Sequence, residues 1–176
     1  KFGVFGQVNR TFINNRLGVS AGIRADGNTF TDDGATPLQT LSPRIGLSYA
    51  FAPKWKANAS IGRYYKMPLY TVLGYRDDSG SLVNQDQPYL RSDHYVAGLE
   101  FVPSRILRLT LEGFYKQYAD YPVSVFNGVS LANQGGGFGI LGNEPVLATG
   151  RGEAYGMELF AQQKLNKSLY FTGSFT

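Results

Sequence analysis

Cysteine is absent from the 176 residues. That excludes a disulfide framework, a thiolate metal site and a cysteine nucleophile. Charge is scarce as well: charged residues make up 17% of the chain, against about 25% in an average soluble protein. The basic residues are scattered singly and the net charge is +4, so no stripe suited to nucleic acid is present. Arg105 and Arg108, beside a turn, come nearest to a basic patch and read as solvated. No run of about 18 apolar residues exists, which excludes a transmembrane helix. No signal-peptide pattern is visible. Lys1 and Thr176 both fall inside strand-like patterns, so both ends are expected to be cuts through a longer chain.

What is present favours sheet. Tyr and Phe number 12 each and Gly 22; aromatic rings suit a pleated surface, and glycine disfavours helix. The hydrophobic period is two nearly everywhere. Leu17, Val19, Ala21, Ile23 and Ala25 alternate with Gly18, Ser20, Gly22, Arg24 and Asp26. Leu41, Pro43, Ile45, Leu47, Tyr49 and Phe51 alternate with Ser42, Arg44, Gly46, Ser48 and Ala50. The pattern returns from Trp55, Tyr95, Leu107, Tyr155 and Leu169, giving about eight strands. The first segment, Phe2 to Val8, alternates less cleanly because Phe5 falls on the polar face.

The strands are long. About ten residues is what a tilted strand needs to cross a bilayer, against five or six in a typical globular sheet. Connections alternate in length, with short turns near Asn14-Asn15, Pro53-Lys54, Pro103-Ser104 and Asn166-Lys167 and long loops at about 28–40, 66–92 and 119–150. Short turns on one rim and long loops on the other form the outer-membrane barrel pattern. Phe51, Trp55 and Phe101 flank short turns, while Phe30, Tyr64, Tyr65, Tyr115 and Tyr118 flank long loops. These aromatics read as the two girdles that sit at headgroup level. The other face carries Gly, Ser, Asn and Thr, with Arg24, Arg44, Glu100, Glu112 and Glu158 among them. In such a barrel the apolar face meets lipid and the polar face lines the lumen. Leu47 is expected to face lipid and Ser48 the lumen.

Several motif matches lack the context their chemistry needs. Gly18-Val19-Ser20-Ala21-Gly22 fits G-x-S-x-G, but alternation runs straight through it where a nucleophile elbow requires a strand-to-helix turn. His94 is the only histidine, and Asp93 beside it points to the opposite face of an extended chain. Residues 137–142 fit G-x-G-x-x-G with no strand before them and no helix after, so no dinucleotide fold is expected. Asp32-Asp33 and Asp77-Asp78 read as solvated turns rather than a calcium site. Asn9, Asn58 and Asn166 fit N-x-[ST], a pattern short enough to match by chance. No metal, cofactor or enzymatic activity is expected.

Three segments carry a family resemblance. Residues 42–75 read SPRIGLSYAFAPKWKANASIGRYYKMPLYTVLGY. Residues 92–104 read SDHYVAGLEFVPS, followed by LEGFYKQYADYPVS at 111–124, and residues 150–176 read GRGEAYGMELFAQQKLNKSLYFTGSFT. An aromatic-rich strand, a proline-marked long loop, Ser-Asp-His-Tyr opening a returning strand, then a Gly-x-Glu strand with a Thr-rich partner resemble the later strands of TonB-dependent outer-membrane receptors. The resemblance implies an all-β, antiparallel up-and-down transmembrane barrel. Residues 1–176 would form a partial barrel domain of about eight strands within a twenty-two-strand wall. It implies a place in the bacterial outer membrane and import of a scarce nutrient (iron chelate, cobalamin or glycan) powered through TonB. The plug domain and the TonB-contacting segment would lie in parts absent from this chain, and the resemblance leaves room for a surface lipoprotein partner. Ligand contact is expected from the long loops, at Tyr70, Tyr75, Arg76 and Asn84 in the second and Asn133 and Phe138 in the third, since recognition usually sits on loops held by a rigid scaffold. The rival readings are a complete small eight-strand outer-membrane barrel and a secreted carbohydrate-binding β-sandwich.

Overall fold

A strand whose side chains alternate in polarity presents each face to a different medium, and the chain builds that alternation into one sheet. The computed structural model describes residues 1–31, 33–134, 139–166 and 168–176. Eight strands follow each other in space as in sequence: β1 Phe2–Phe12, β2 Leu17–Gly27, β3 Ser42–Ala52, β4 Trp55–Lys66, β5 Leu90–Phe101, β6 Leu107–Ser124, β7 Val146–Asn166 and β8 Leu169–Phe175. Every neighbouring pair is antiparallel. Among the described residues β1 pairs only with β2 and β8 only with β7, so the sheet is open. It is neither a two-sheet sandwich nor a barrel closed by eight strands. Among the described residues no helix is long and apolar enough to cross a membrane.

Short turns and long loops alternate as expected. The first two long loops are 28–41, with two 3-10 turns at Asp33–Ala35 and Pro37–Thr40, and 67–89, with the one-turn helix α1 Tyr70–Leu73. The third is 125–145, shorter than its sequence suggests, because the β6–β7 ladder continues to Ser124↔Val146. A bulge explains the difference. Asp120 takes φ 61, and the register shifts between Tyr118 and Tyr121. The bulge breaks the period-two pattern while the pairing goes on beyond it. At the opposite rim the β1–β2 turn runs through Ile13, Asn14 and Asn15, all at positive φ. Asn tolerates that region; Ile, branched at Cβ, does not readily do so. The turn is closed by the Arg16 N–H donating to Ile13 O at 3.0 Å.

Register aligns like with like. Val19, Leu47, Ala59, Ala97, Gly113 and Met157 form one row across six strands, and Gly18, Ser48, Asn58, Gly98, Glu112 and Glu158 form the row on the other face. The apolar row is the exposed one: Leu47 is 46% exposed, whereas Glu100 on the polar face is 8% exposed. This inverts the burial of a soluble protein. Trp55 stacks on Phe101 at 4.4 Å and faces Phe51 at 6.4 Å on the apolar face near the short turns. Toward the long loops Tyr95, Tyr115 and Tyr155 share one row.

Candidate functional site

The three long loops leave the same end of the sheet and fold onto one another. The buried hydrophobic core among the described residues lies here, in two clusters. Met67, Leu73 and Tyr89 form one, with Tyr65 against it, and Val72, Leu131 and Val146 form the other, with Leu141 against it. Polar side chains stitch the loops together. Asn84, 1% exposed, donates to Val72 O at 3.0 Å and Glu144 O at 2.7 Å and accepts from the Val146 N–H at 3.0 Å. The Thr71 hydroxyl donates to Leu141 O at 2.7 Å, and Gln87 Nε2 to Val146 O at 3.0 Å. The first loop joins through Asn28 Nδ2, which donates to the Tyr89 hydroxyl at 2.9 Å, and through Gln85 Nε2, which donates to Phe30 O at 2.7 Å. Gly142, at φ 83, passes so close to Val72 that a side chain there would collide with it.

Below this cap the polar face carries cations on aromatic rings. The Arg44 guanidinium lies 4.4 Å from the Tyr64 ring centroid, and that ring lies 4.5 Å from the His94 imidazole. Ser92 Oγ and His94 Nε2 are 2.6 Å apart. Gly62 makes the arrangement possible, because a Cβ there would sit 3.1 Å from the Tyr64 ring. Lys116, paired with His94 across the ladder, holds its ammonium 4.8 Å from the Phe114 ring, and Tyr118 pairs with Ser92. Guanidinium, ammonium and aromatic faces together suit a planar or delocalised anion. Nearer the short turns, Glu100 is held by Arg108 at 2.5 Å and Lys56 at 3.4 Å. Asp93 faces away from His94 and receives Arg63 instead, at 2.6 and 3.0 Å.

The six loop residues expected to touch ligand have diverse surroundings. Tyr70 is exposed on α1 with the Lys1 ammonium 4.6 Å from its ring. Tyr75 is half-buried, and Arg76 donates to Gly80 O at 2.5 Å. Asn84 is committed to the loop–loop bonds above. Asn133 is exposed and lines a depression with Tyr118, Tyr121 and Arg151. Phe138 lies outside the described residues. The structure thus brings the second and third loops together, without placing Tyr70, Tyr75 or Arg76 around the depression that Asn133 lines. Arg44, Tyr64, His94 and Lys116 were absent from the sequence-based site. Tyr64 and Tyr118, expected in the girdle, share the even-numbered polar face with Arg44 and His94. Parity in the alternation already carried that signal. Asp77 lies half-buried on the second loop. Hydrogen bonds from the Ser79 hydroxyl, then the Ser81 N–H, hold its carboxyl below its ordinary pKa.

Comparison with known proteins gives a coherent result. A family model described as TonB dependent receptor-like, β-barrel matches residues 1–176. Among solved structures the chain is similar to the siderophore receptor PirA from Pseudomonas aeruginosa, at 16% identity and TM-score 0.67 over 97% of this chain and 32% of that one. It is similar to the alcaligin outer-membrane receptor FauA from Bordetella pertussis, at 18% identity and TM-score 0.62 over 98% of this chain and 28% of that one. A copper transporter, OprC, shares 15% identity with TM-score 0.55 over 98% of this chain and 28% of that one. At these identities the likeness is one of fold, and the chain spans less than a third of each structure's length. No curated protein sequence matches it.

Proposed function

The chain belongs to the TonB-dependent receptor β-barrel family, and from that premise we propose that it forms part of the wall and loop cap of an importer for an anionic metal chelate. Receptors of this family are outer-membrane barrels and transporters rather than enzymes. The apolar face therefore meets lipid, the polar face lines the lumen, the long loops are extracellular and the short turns periplasmic. The open edges of β1 and β8 call for further strands, since no unpaired edge survives in hydrocarbon. A plug inside the larger barrel and TonB beneath it would gate and power passage, both outside this chain.

The observation that carries the ligand class is the Arg44–Tyr64–His94 group in the upper lumen, with Lys116 and Phe114 beside it. A chelate rich in delocalised oxygen anions gains both charge and stacking there. A neutral glycan would use the rings but not the cations. The siderophore and copper proteins that share the fold agree with this choice over cobalamin or glycan. The loops would capture the chelate from outside, and this cationic group would receive it before the plug. The test is uptake of radioactive iron, supplied as a ferric catecholate, a ferric hydroxamate or a ferric citrate complex, by cells carrying the complete receptor. Wild type should import at least one of them. Arg44→Glu should lower that uptake about ten-fold, corresponding to about 1.4 kcal/mol of lost binding, with barrel assembly unchanged. Import of none, or full uptake by the variant, would overturn the proposal.

A further inference from the structure

We infer that the lipid-facing side of β5–β7 holds one phosphorylated lipid, its headgroup on Arg91 and Arg151 and an acyl chain in the groove beneath. The inference rests on the placement of the apolar face against lipid and is independent of what the receptor imports.

Alternation makes the odd-numbered positions of β5, and those of β7 from Arg151 to Gln163, lipid-facing, and most are apolar. Near the extracellular ends of β4–β7 the rule breaks. Arg63, Asp93, Gln117 and Glu153 share one row, and Arg91 and Arg151 lie beyond it. Arg91 is ten residues along β5 from Phe101 in the lower aromatic girdle, about the length a tilted strand needs to cross the hydrocarbon. The charged positions thus stand at the height of the headgroups. Their own pairing leaves a net excess of positive charge. Arg63 occupies both oxygens of Asp93, at 2.6 and 3.0 Å. The Tyr115 hydroxyl donates to Glu153 at 2.8 Å, and Gln117 donates to that hydroxyl at 3.1 Å. Both carboxylates are therefore engaged. Arg91 reaches Asp93 only at 3.8 Å, and Arg151 has no ion pair among the described residues. Three arginines thus stand against two carboxylates, and Arg91 and Arg151 line, together with Asp93 and Glu153, a depression of about 480 Å³ where an outside anion meets both guanidinium forks.

Directly below lies a second depression on the same face, of about 470 Å³, walled by Tyr95, Tyr115, Tyr155 and Met157. Its floor is Ala97 paired with Gly113, small enough to leave a channel between the rings. A fork that fits phosphate bidentately stands above a groove that fits a hydrocarbon chain. The two lie in the order in which a lipid presents its head and tail. Free phosphate would explain the arginines but not the groove; bulk lipid would explain the groove but not charges at lipid-facing positions.

The test is native mass spectrometry of the complete receptor in detergent, with added bisphosphorylated lipid A, its dephosphorylated form, or inorganic phosphate. Wild type should retain one phosphorylated lipid and about ten-fold less of the dephosphorylated one, the loss expected from removing charge-assisted hydrogen bonds. The Arg91→Gln/Arg151→Gln pair should lower retention similarly, Arg91→Lys/Arg151→Lys should restore part of it, and Ala97→Phe should lower it by filling the groove. Excess inorganic phosphate should displace nothing. Equal retention of the two lipids, full retention by the Gln pair, or displacement by inorganic phosphate would overturn the inference. If the Gln pair fails to assemble, the comparison of the two lipids on wild type decides. Chelate uptake is measured separately, so failure of the import proposal leaves this result standing.

Discussion

In the wall, Leu47 sits 46% exposed between Val19 and Ala59, whereas in the loop cap Leu73 is fully buried beside Met67 and Tyr89. The same residue type is placed by two different solvents. Water drives the cap: burying Leu73 removes apolar surface from water, and the loops must satisfy their own buried polar groups, as Asn84 does. The wall has no such drive, because lipid tails are as apolar as leucine. There the backbone must be satisfied within the ladder, and side chains need only match the medium on each face. One chain therefore holds two stability rules, divided near the row of Tyr95, Tyr115 and Tyr155.

Truncation in the cap should have the largest effect. Leu73→Ala removes a fully buried side chain and should destabilise the loop cluster by about 2–5 kcal/mol. Hydrogen exchange should show lost protection across residues 67–89 while β2–β5 keep theirs. Equal loss in the strands would erase the division between wall and cap. In the wall, truncation matters less than charge. Leu47→Arg should cost about 2–4 kcal/mol near mid-membrane, measured by unfolding the complete receptor in lipid. Ser48→Arg, one residue away on the lumen face, should cost much less. Equal tolerance of both changes would overturn the assignment of faces.

The wall was legible in the sequence because the two-solvent rule is written into it at period two. Leu41–Phe51 against Ser42–Ala50 already fixes which side meets lipid, and the register then follows from matching faces and short turns. The cap was legible only as length. Nothing in the local pattern shows that Asn84 spans to Val146, because long-range side-chain bonds leave no periodic trace. That is why Asn84, chosen as a ligand contact, proves to be a buried tie between loops. The bulge at Asp120 hid the upper β6–β7 ladder for a related reason: one residue out of phase ends the alternation without ending the pairing. The Arg44–Tyr64–His94 group was within reach. It needed only the parity of Tyr64 to outweigh its position near a loop.

The smallest effect separates two parts of the cap itself. Asp77 is half-buried, and its carboxylate accepts from the Ser79 hydroxyl at 2.6 Å, the Ser79 N–H at 3.0 Å and the Ser81 N–H at 2.9 Å. These bonds favour the charged form, so its pKa is lower in the folded loop than in the unfolded chain. A lowered carboxyl pKa adds stability that is present above the unfolded value and lost as pH falls through the folded one. The window therefore begins at about pH 4, the ordinary carboxyl range, and extends downward. The tie through Asn84 runs to backbone atoms of Val72, Glu144 and Val146, none of which titrates, and is expected to keep its bonds over that window. Protection of the Ser81 amide, taken relative to its intrinsic exchange rate at each pH, should fall below about pH 4, while the Val146 amide, bonded to Asn84, stays protected. Asp77→Asn should remove the pH dependence at Ser81 and leave Val146 unchanged. Joint loss at both amides would mean that the cap melts as one body. No change at Ser81 across the window would mean that the carboxylate does not hold its turn.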